Sequence, residues 1–162
     1  MSEYHQAPES DSQKPIVTVV IPCHNHSDMV FDAIESVLQQ DYRPLKIIVV
    51  DDGSTDGLEE KIKKPIYKNK EFVEIFYIRN EIAQGPSAAR NRAIEDMWDK
   101  TDLFMMLDAD DLYLEGKISK SVEKYIENPE HVGIVYTDAV IKNLNTGTKV
   151  HEFRQPFSRS SL

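Results

Sequence analysis

Short apolar runs alternate with segments of helical periodicity along this chain, and this alternation constrains its fold more than any other feature. The runs are apolar throughout, which is typical of strands that are buried on both faces. Such an order predicts an α/β fold with a mainly parallel sheet and helices on both of its faces. The five predicted strands are Ile16 to Ile21, Leu45 to Val50, Phe72 to Ile78, Leu103 to Leu107 and Val132 to Tyr136.

Four helices are predicted between these strands. The first is capped by Ser27 or Asp28 and ends near Gln40, because its apolar residues recur at helical spacing on one face. Pro86 suits the first position of the third helix, where an N–H would have no partner within the helix. The second helix runs from Leu58 to about Tyr67, and the fourth runs from about Ile118 to Glu127.

The charge balance and the single cysteine exclude several functional classes. The chain has 19 Lys+Arg against 28 Asp+Glu, a net charge of −9, and no basic stripe that would bind a nucleic-acid backbone. Cys23 has no second cysteine for a disulfide or a zinc cluster, which favours a reducing compartment. The apolar runs are far shorter than the roughly 20 residues of a membrane helix. We therefore predict a soluble cytoplasmic protein that does not bind nucleic acid.

Three carboxylates follow the fourth predicted strand, in the segment Asp108-Ala109-Asp110-Asp111. In an extended chain Asp108 and Asp110 project to the same side, where they can share one cation. Mg²⁺ and Mn²⁺ prefer such oxygen ligands and often keep substrate phosphates in their remaining positions. A solvated acidic turn is the structural alternative, which this short pattern alone leaves open.

A polar loop, Asp51 to Gly57, follows the second predicted strand. It resembles half of a calcium loop, but Lys63 stands where the closing glutamate would be, so an EF-hand is disfavoured. The functional interpretation is that Asp52 accepts a hydrogen bond from a base or sugar while Gly53 allows a tight turn. The alternative is a loop in which Ser54, Thr55 and Asp56 only cap the next helix.

The segment from Gly85 to Asn91 begins a helix whose free amides can face a diphosphate, with Arg90 adding a positive charge. It is neither a Walker loop nor a dinucleotide fingerprint. A buried or surface-paired Arg90 is the structural alternative.

The order of these motifs resembles the nucleotide-binding half of family 2 glycosyltransferases, which have the Rossmann-like GT-A fold. The resemblance extends from Ile16 to about Asp138. It is carried by the segments Val17-Thr18-Val19-Val20-Ile21-Pro22-Cys23-His24-Asn25, Ile48-Val49-Val50-Asp51-Asp52-Gly53-Ser54-Thr55-Asp56, Gly85-Pro86-Ser87-Ala88-Ala89-Arg90-Asn91 and Leu107-Asp108-Ala109-Asp110-Asp111.

The resemblance implies a role for each matching residue. Pro22, His24 and Asn25 would belong to the nucleotide site, with Pro22 and His24 bordering the base of a nucleotide-sugar, commonly a UDP-sugar. Asp52 would accept from the uracil ring, and Arg90 would lie near the base or diphosphate. Asp108 would lie by the ribose and the metal. Asp110 would ligate the Mn²⁺ or Mg²⁺ that bridges the diphosphate.

The implied reaction is transfer of the sugar to an acceptor hydroxyl with inversion. A carboxylate acting as general base is also needed, and in this family it usually lies in a downstream motif that is not found here, so no catalytic residue is assigned. A non-catalytic nucleotide-sugar-binding or assembly module is the alternative. A nucleotidyltransferase is disfavoured because no glycine-rich phosphate loop follows the first strand.

The resemblance also sets the expected domain organisation and partners. Residues 1–14 are expected to be a disordered leader, 15–140 the nucleotide-sugar-binding domain, and 141–162 the start of a truncated acceptor region. The acceptor would be a saccharide, a lipid-linked sugar or a protein. The expected location is the cytoplasm, with a peripheral position at the inner membrane face as one option. Self-association or a partner is expected at the truncated end if apolar surface is exposed there.

Overall fold

The computed structural model describes residues 14–63, 73–143 and 146–153. The chain divides into two compact units, one up to Ser119 and one from Lys120 onwards. Residues 1–13 of the expected leader lie outside the described residues, as do residues 64–67 of the predicted second helix and Phe72 of the third predicted strand.

A four-stranded parallel sheet forms the centre of the first unit. Its strands are β1 (Val17–Cys23), β2 (Leu45–Asp52), β3 (Val73–Asn80) and β4 (Leu103–Met106), in the spatial order β3-β2-β1-β4. β1 is paired on both sides, and its residue Val20 lies opposite Ile48 of β2 and Met106 of β4. The first four predicted strands are therefore confirmed, with ends that shift by one or two residues.

Pro22 lies within β1 rather than after it, contrary to the predicted strand end. β4 pairs only with Val17 to Val20, so Pro22 lies beyond the end of β4 and has a strand neighbour on one side. A proline is tolerated there because the ladder on the other side needs no N–H from it.

Helices alternate with these strands: α1 (Val30–Leu38), α2 (Leu58–Ile62), α3 (Pro86–Met97) and α4 (Lys117–Ile126). A single 3-10 turn, Trp98–Lys100, follows α3. Small residues on α3, Ala89 and Ala93, pack with Met97 against Val20 and Ile48 of the sheet. The intervening strand residues point to the opposite face and are also fully buried, so both faces of the central strands are covered.

The first helix begins later than predicted and is not capped by Ser27 or Asp28. Its cap residue is Met29, and the amides of Met29 and Val30 donate to the carbonyl oxygen of His26 at 3.1 and 3.0 Å. The Ser27 hydroxyl instead donates to the carbonyl oxygen of Asp56 at 3.1 Å. The Ser27 side chain therefore makes a tertiary hydrogen bond instead of the helix cap that local preference predicted.

The segment after β4 is attached to the end of α1. Gln40 is buried; its Nε2 donates to the Leu114 carbonyl oxygen at 3.1 Å, and its Oε1 accepts from the Ile118 amide at 3.3 Å. The Ser36 hydroxyl oxygen accepts from the Tyr113 amide at 3.0 Å. These hydrogen bonds hold the segment that follows the acidic motif against the end of α1.

The predicted fifth strand, Val132 to Tyr136, is wrong: these residues have no regular secondary structure, and Ile134 is 85% exposed. Because no described strand lies beside them, their backbone groups have no ladder to join. The second unit instead contains an antiparallel hairpin of β5 (Ala139–Lys142) and β6 (Lys149–Phe153).

Within the described ranges, the longest helices are too short and too polar to cross a lipid bilayer.

Candidate functional site

An open pocket lies at the carboxyl ends of β1 and β2, where parallel α/β sheets place their ligands. It brings together three of the predicted site residues, Pro22, His24 and Asp52. The start of α3 and the loop before it close the pocket from the other side. The remaining lining residues are Cys23, Ala83, Gly85 and Pro86.

Asp52 is the most firmly held side chain of this pocket and is only 3% exposed. Its carboxylate accepts from Asn80 Nδ2 at 2.6 Å and from the backbone amides of Gln84 and Gly85 at 2.9 and 2.7 Å. Burial alone would raise the pKa of Asp52, but these hydrogen bonds outweigh it and hold the pKa below its usual value. Asp52 is therefore an ionised acceptor whose orientation is fixed.

Gly53 allows the loop after β3 to fold this closely over Asp52. Its φ is +71°, and a Cβ on this residue would lie 2.9 Å from the amide nitrogen of Ala83. A side chain would therefore both strain the turn and push away the strand-to-helix loop that binds Asp52. The tight turn at Gly53 is as predicted, but the close approach of the loop after β3 has no local signal in the sequence.

His24 and Asn25 connect the loops after β1 and β2. The Asp52 carbonyl oxygen can only accept, so His24 Nδ1 donates to it at 2.7 Å. Asn25, at a φ of 57°, accepts from the Thr55 amide at 2.8 Å, and its Nδ2 lies 3.1 Å from His24 Nε2. Asn25 is not among the pocket-lining residues, and its side chain joins the two loops.

Asp51 organises the other side of the same loop, a role that was not predicted from the sequence. Its carboxylate is fully buried and accepts from the Ser54 amide and the Tyr77 hydroxyl, both at 2.7 Å, and from Arg79. Burial, together with the Asp51 carboxylate, raises the pKa of Tyr77, which keeps its hydroxyl a donor. Arg79 also donates to the Ser54 carbonyl oxygen at 2.8 Å. The only sign of this role in the sequence was that the third strand ends in two polar residues, Arg79 and Asn80.

Arg90 and Asp108 are paired, as one structural alternative for Arg90 anticipated. Arg90 lies on α3 and donates to the carboxylate of Asp108, whose side chain remains 51% exposed. Neither residue lines the pocket. The amides of Gln84 and Gly85, just before α3, donate to Asp52. That amides at the start of α3 face a diphosphate stays a prediction.

Asp110 is exposed after β4, close enough to Cys23 for its charge to affect this pocket residue. Burial first, and then nearby charges that include Asp110, raise the pKa of Cys23 to about 11. The thiol therefore stays protonated near neutral pH, consistent with a packed residue rather than a nucleophile.

The acidic motif is chemically suited to a hard divalent cation. Asp108 and Asp110 offer exposed carboxylate oxygens, and burial together with the charges of Asp110 and Asp108 raises the pKa of Asp111. That mutual repulsion is what a cation would relieve. Among the described residues, no three His, Cys, Asp or Glu side chains form a complete cage. Mg²⁺ and Mn²⁺ are commonly held by one or two carboxylates plus substrate phosphates, so the residues fit.

Two curated glycosyltransferases are similar in sequence to this chain. The chain is 34% identical over 114 residues to the putative teichuronic acid biosynthesis glycosyltransferase TuaG of Bacillus subtilis, covering 70% of this chain and 43% of TuaG. It is 33% identical over 107 residues to the UDP-Glc:alpha-D-GlcNAc-diphosphoundecaprenol beta-1,3-glucosyltransferase WfaP of Escherichia coli, covering 66% of this chain and 40% of WfaP. The chain spans less than half of each of these two proteins.

A solved structure shares the fold. The mannosyltransferase PcManGT from Pyrobaculum calidifontis, in complex with GDP-Man and Mn²⁺, aligns with a TM-score of 0.64 at 20% identity, over 83% of this chain and 38% of that protein. This likeness confirms the predicted GT-A architecture, with its mainly parallel sheet. The sequence model of glycosyl transferase family 2 matches residues 18–161. The chain therefore belongs to glycosyl transferase family 2, as its motifs had indicated.

Proposed function

We propose that this chain forms the donor-binding part of a glycosyltransferase that uses a UDP-sugar and transfers the sugar to an acceptor hydroxyl with inversion. One observation carries the proposal: a buried, ionised Asp52 is fixed in an apolar-lined pocket at the carboxyl edge of a parallel sheet. An ionised carboxylate accepts hydrogen bonds only, which suits the ring N–H of uracil. WfaP, which is named for UDP-Glc as its donor, supports this choice of nucleotide.

Pro22 and His24 would border the base beside Asp52. Asn25 would act through its bonds to His24 and Thr55, because it holds the loop without lining the pocket. The rigid attachment of these loops keeps the binding geometry in place before the nucleotide arrives, which lowers the entropic cost of binding.

Arg90, Asp108 and Asp110 would serve the diphosphate end of the donor. Asp110, with Asp108, would hold Mn²⁺ or Mg²⁺, and the bound ion supplies Lewis-acid stabilisation to the departing nucleoside diphosphate. Arg90 would orient Asp108 through their ion pair and add positive charge near the phosphates. The Mn²⁺ in the complex of PcManGT supports the choice of metal.

The acceptor class is proposed from the named relatives. TuaG is named for teichuronic acid biosynthesis and WfaP for a lipid-diphosphate-linked sugar acceptor. We therefore propose a saccharide or lipid-linked acceptor in polysaccharide assembly, which would place the enzyme in the cytoplasm at the inner membrane face. A protein acceptor remains the less supported choice, and no residue is assigned as general base.

Isothermal titration of the chain with UDP in the presence of Mn²⁺ tests the proposal. Wild type should bind UDP with a heat signal that depends on Mn²⁺. Asp110→Ala should weaken Mn²⁺-dependent binding by about tenfold or more, because a metal ligand is removed. Asp99→Ala, which removes an exposed carboxylate beyond α3, should bind as wild type does. Absence of UDP binding by folded wild type would refute the proposal.

A further inference from the structure

The side chain of Asn80 lies between two opposite charges. Its Nδ2 donates to Asp52 Oδ1 at 2.6 Å, and its Oδ1 accepts from the guanidinium of Arg92. The same guanidinium nitrogen of Arg92 donates to the carbonyl oxygen of Arg79 at 2.7 Å. Asn80 is 4% exposed, whereas Arg92 lies on the exposed side of α3. The three side chains therefore connect the surface of α3 to the pocket.

The two neighbours of Asn80 fix the orientation of its amide. A guanidinium only donates and an ionised carboxylate only accepts, so the amide oxygen must face Arg92 and the amide nitrogen must face Asp52. A flipped amide would place oxygen against carboxylate and nitrogen against guanidinium. Without Arg92, only Asp52 would resist this flip.

Asn80 provides the one side-chain hydrogen bond among the three donors to the Asp52 carboxylate. The other two donors are backbone amides of the loop before α3, which only a substitution by proline would remove. The orientation of the Asn80 amide therefore decides whether the ionised Asp52 carboxylate, which lines the pocket, has all three of its donors.

We propose that Arg92 and Asn80 are positioning residues that act through Asp52 and make the pocket select a base with a ring N–H over a base with an unprotonated ring nitrogen at that place. This inference rests on the proposed function, in which Asp52 meets the base. Uracil presents a ring N–H there, whereas cytosine presents a lone pair that the carboxylate repels. Neither Arg92 nor Asn80 needs to touch the nucleotide.

The test compares UDP with CDP, each titrated with Mn²⁺ into wild type and variants of the whole chain. Arg92→Met removes the guanidinium but keeps an unbranched stem, and Arg92→Lys keeps a donor. Asn80→Asp places a second carboxylate against Asp52, so that the pair can retain a proton and donate it in a hydrogen bond to cytosine. Lys100→Met is the control, because it removes an exposed positive charge just beyond α3 that contacts neither Asn80 nor Asp52.

Wild type should bind UDP more tightly than CDP. The ratio of the CDP dissociation constant to the UDP dissociation constant should fall by about tenfold in Arg92→Met and in Asn80→Asp. This ratio should stay near the wild-type value in Lys100→Met and should be largely retained in Arg92→Lys. A purely structural role would lower the unfolding temperature of the variants without changing the ratio. Asn80→Asp keeps the test decisive should Arg92→Met fail to fold.

An unchanged UDP:CDP ratio in folded Arg92→Met and Asn80→Asp would overturn the inference while leaving the proposed function intact. Equal binding of UDP and CDP by wild type would overturn it as well. Binding of neither nucleotide by wild type would instead refute the proposed function itself, so the two failures are distinguishable.

Discussion

Asp51 and Asp52 are adjacent in the chain, yet their side chains do different work. Successive residues of a strand point to opposite faces, so the end of β2 sends one carboxylate to each side. Asp51 is buried against Tyr77 and Arg79, where it holds the loop, and Asp52 reaches the pocket. The end of β2 thus contributes both to the stability of the loop, through Asp51, and to the chemistry of the pocket, through Asp52.

The residue-scale prediction concerns Asp51. In Asp51→Asn, the oxygen can still accept from the Ser54 amide, but the new NH₂ group faces Arg79, which can only donate, and the Tyr77 hydroxyl can no longer donate to it. We expect the free energy of unfolding to fall by about 3 kcal/mol, because a buried charged network is broken. Urea denaturation measures this. Asp99→Asn, at an exposed site, should change it by no more than about 0.5 kcal/mol; equal effects in the two variants would contradict the assignment.

At the scale of elements, the candidate site is made where loops from different strands meet. The loop after β3 supplies two amides to Asp52 of β2, and the loop after β1 is bonded to Ser54 and Thr55. No single element contains enough of these groups to form the pocket. The contacts between loops depend on a backbone that can approach closely at Gly53.

Gly53 provides the element-scale prediction, with Gly147 as a matched control. Both glycines have a positive φ, +71° and +66°, but only Gly53 has another backbone within reach of an added Cβ. Gly147→Ala should cost about 1 kcal/mol of unfolding free energy from strain alone. Gly53→Ala should cost more, about 2 kcal/mol or above, and should also weaken UDP binding because the β3 loop is displaced. Thermal unfolding and UDP titration check both expectations; Gly53→Ala with wild-type affinity would contradict the role of the close approach.

Whether a strand or a helix end could be predicted from the sequence depended on how that element is stabilised. β1 and β2 were predicted because a continuous β-branched run between helices has few other solutions in a parallel sheet. The run from Val132 to Tyr136 has a similar composition, but a strand also needs a neighbour, and none of the described strands lies beside it. The predicted cap of α1 was wrong for a related reason, because Ser27 has a partner on another loop and donates to the carbonyl oxygen of Asp56.

At the scale of the whole molecule, the chain has a net charge of −9 and yet buries carboxylates, whose charged form is disfavoured by burial. Buried acids are tolerated here because each of them has donors. The half-buried Asp56 is similar: burial raises its pKa, but hydrogen bonds, among them one of 2.7 Å from the backbone amide of Ser27 to its carboxylate, lower it below its usual value. Asp52 shows the same balance, with Asn80, Gln84 and Gly85 as its donors.

These lowered pKa values predict how stability depends on pH. The unfolded chain binds protons on Asp52 and Asp56 more readily than the native chain does, so the free energy of unfolding rises with pH in the acidic range. The contribution should be complete above the ordinary aspartate pKa of about 3.9 and should be lost as pH falls through the lower native values. Denaturation curves from about pH 6 down to about pH 2 measure this slope. Asp52→Asn should flatten it, and an unchanged slope would show that Asp52 is not a source of the dependence.

The sequence by itself determined the order of the first four strands and of the four helices, the parallel sheet, the family and which strand ends bear polar groups, because hydrophobic periodicity and short motifs are local properties of the chain. Only the tertiary structure decided which of those groups meet. It brought Pro22, His24 and Asp52 to one pocket and paired Arg90 with Asp108. It also placed Asn80 between Asp52 and Arg92. Such contacts join residues from separate strands and loops, and their geometry follows from the packing of the sheet rather than from any segment alone.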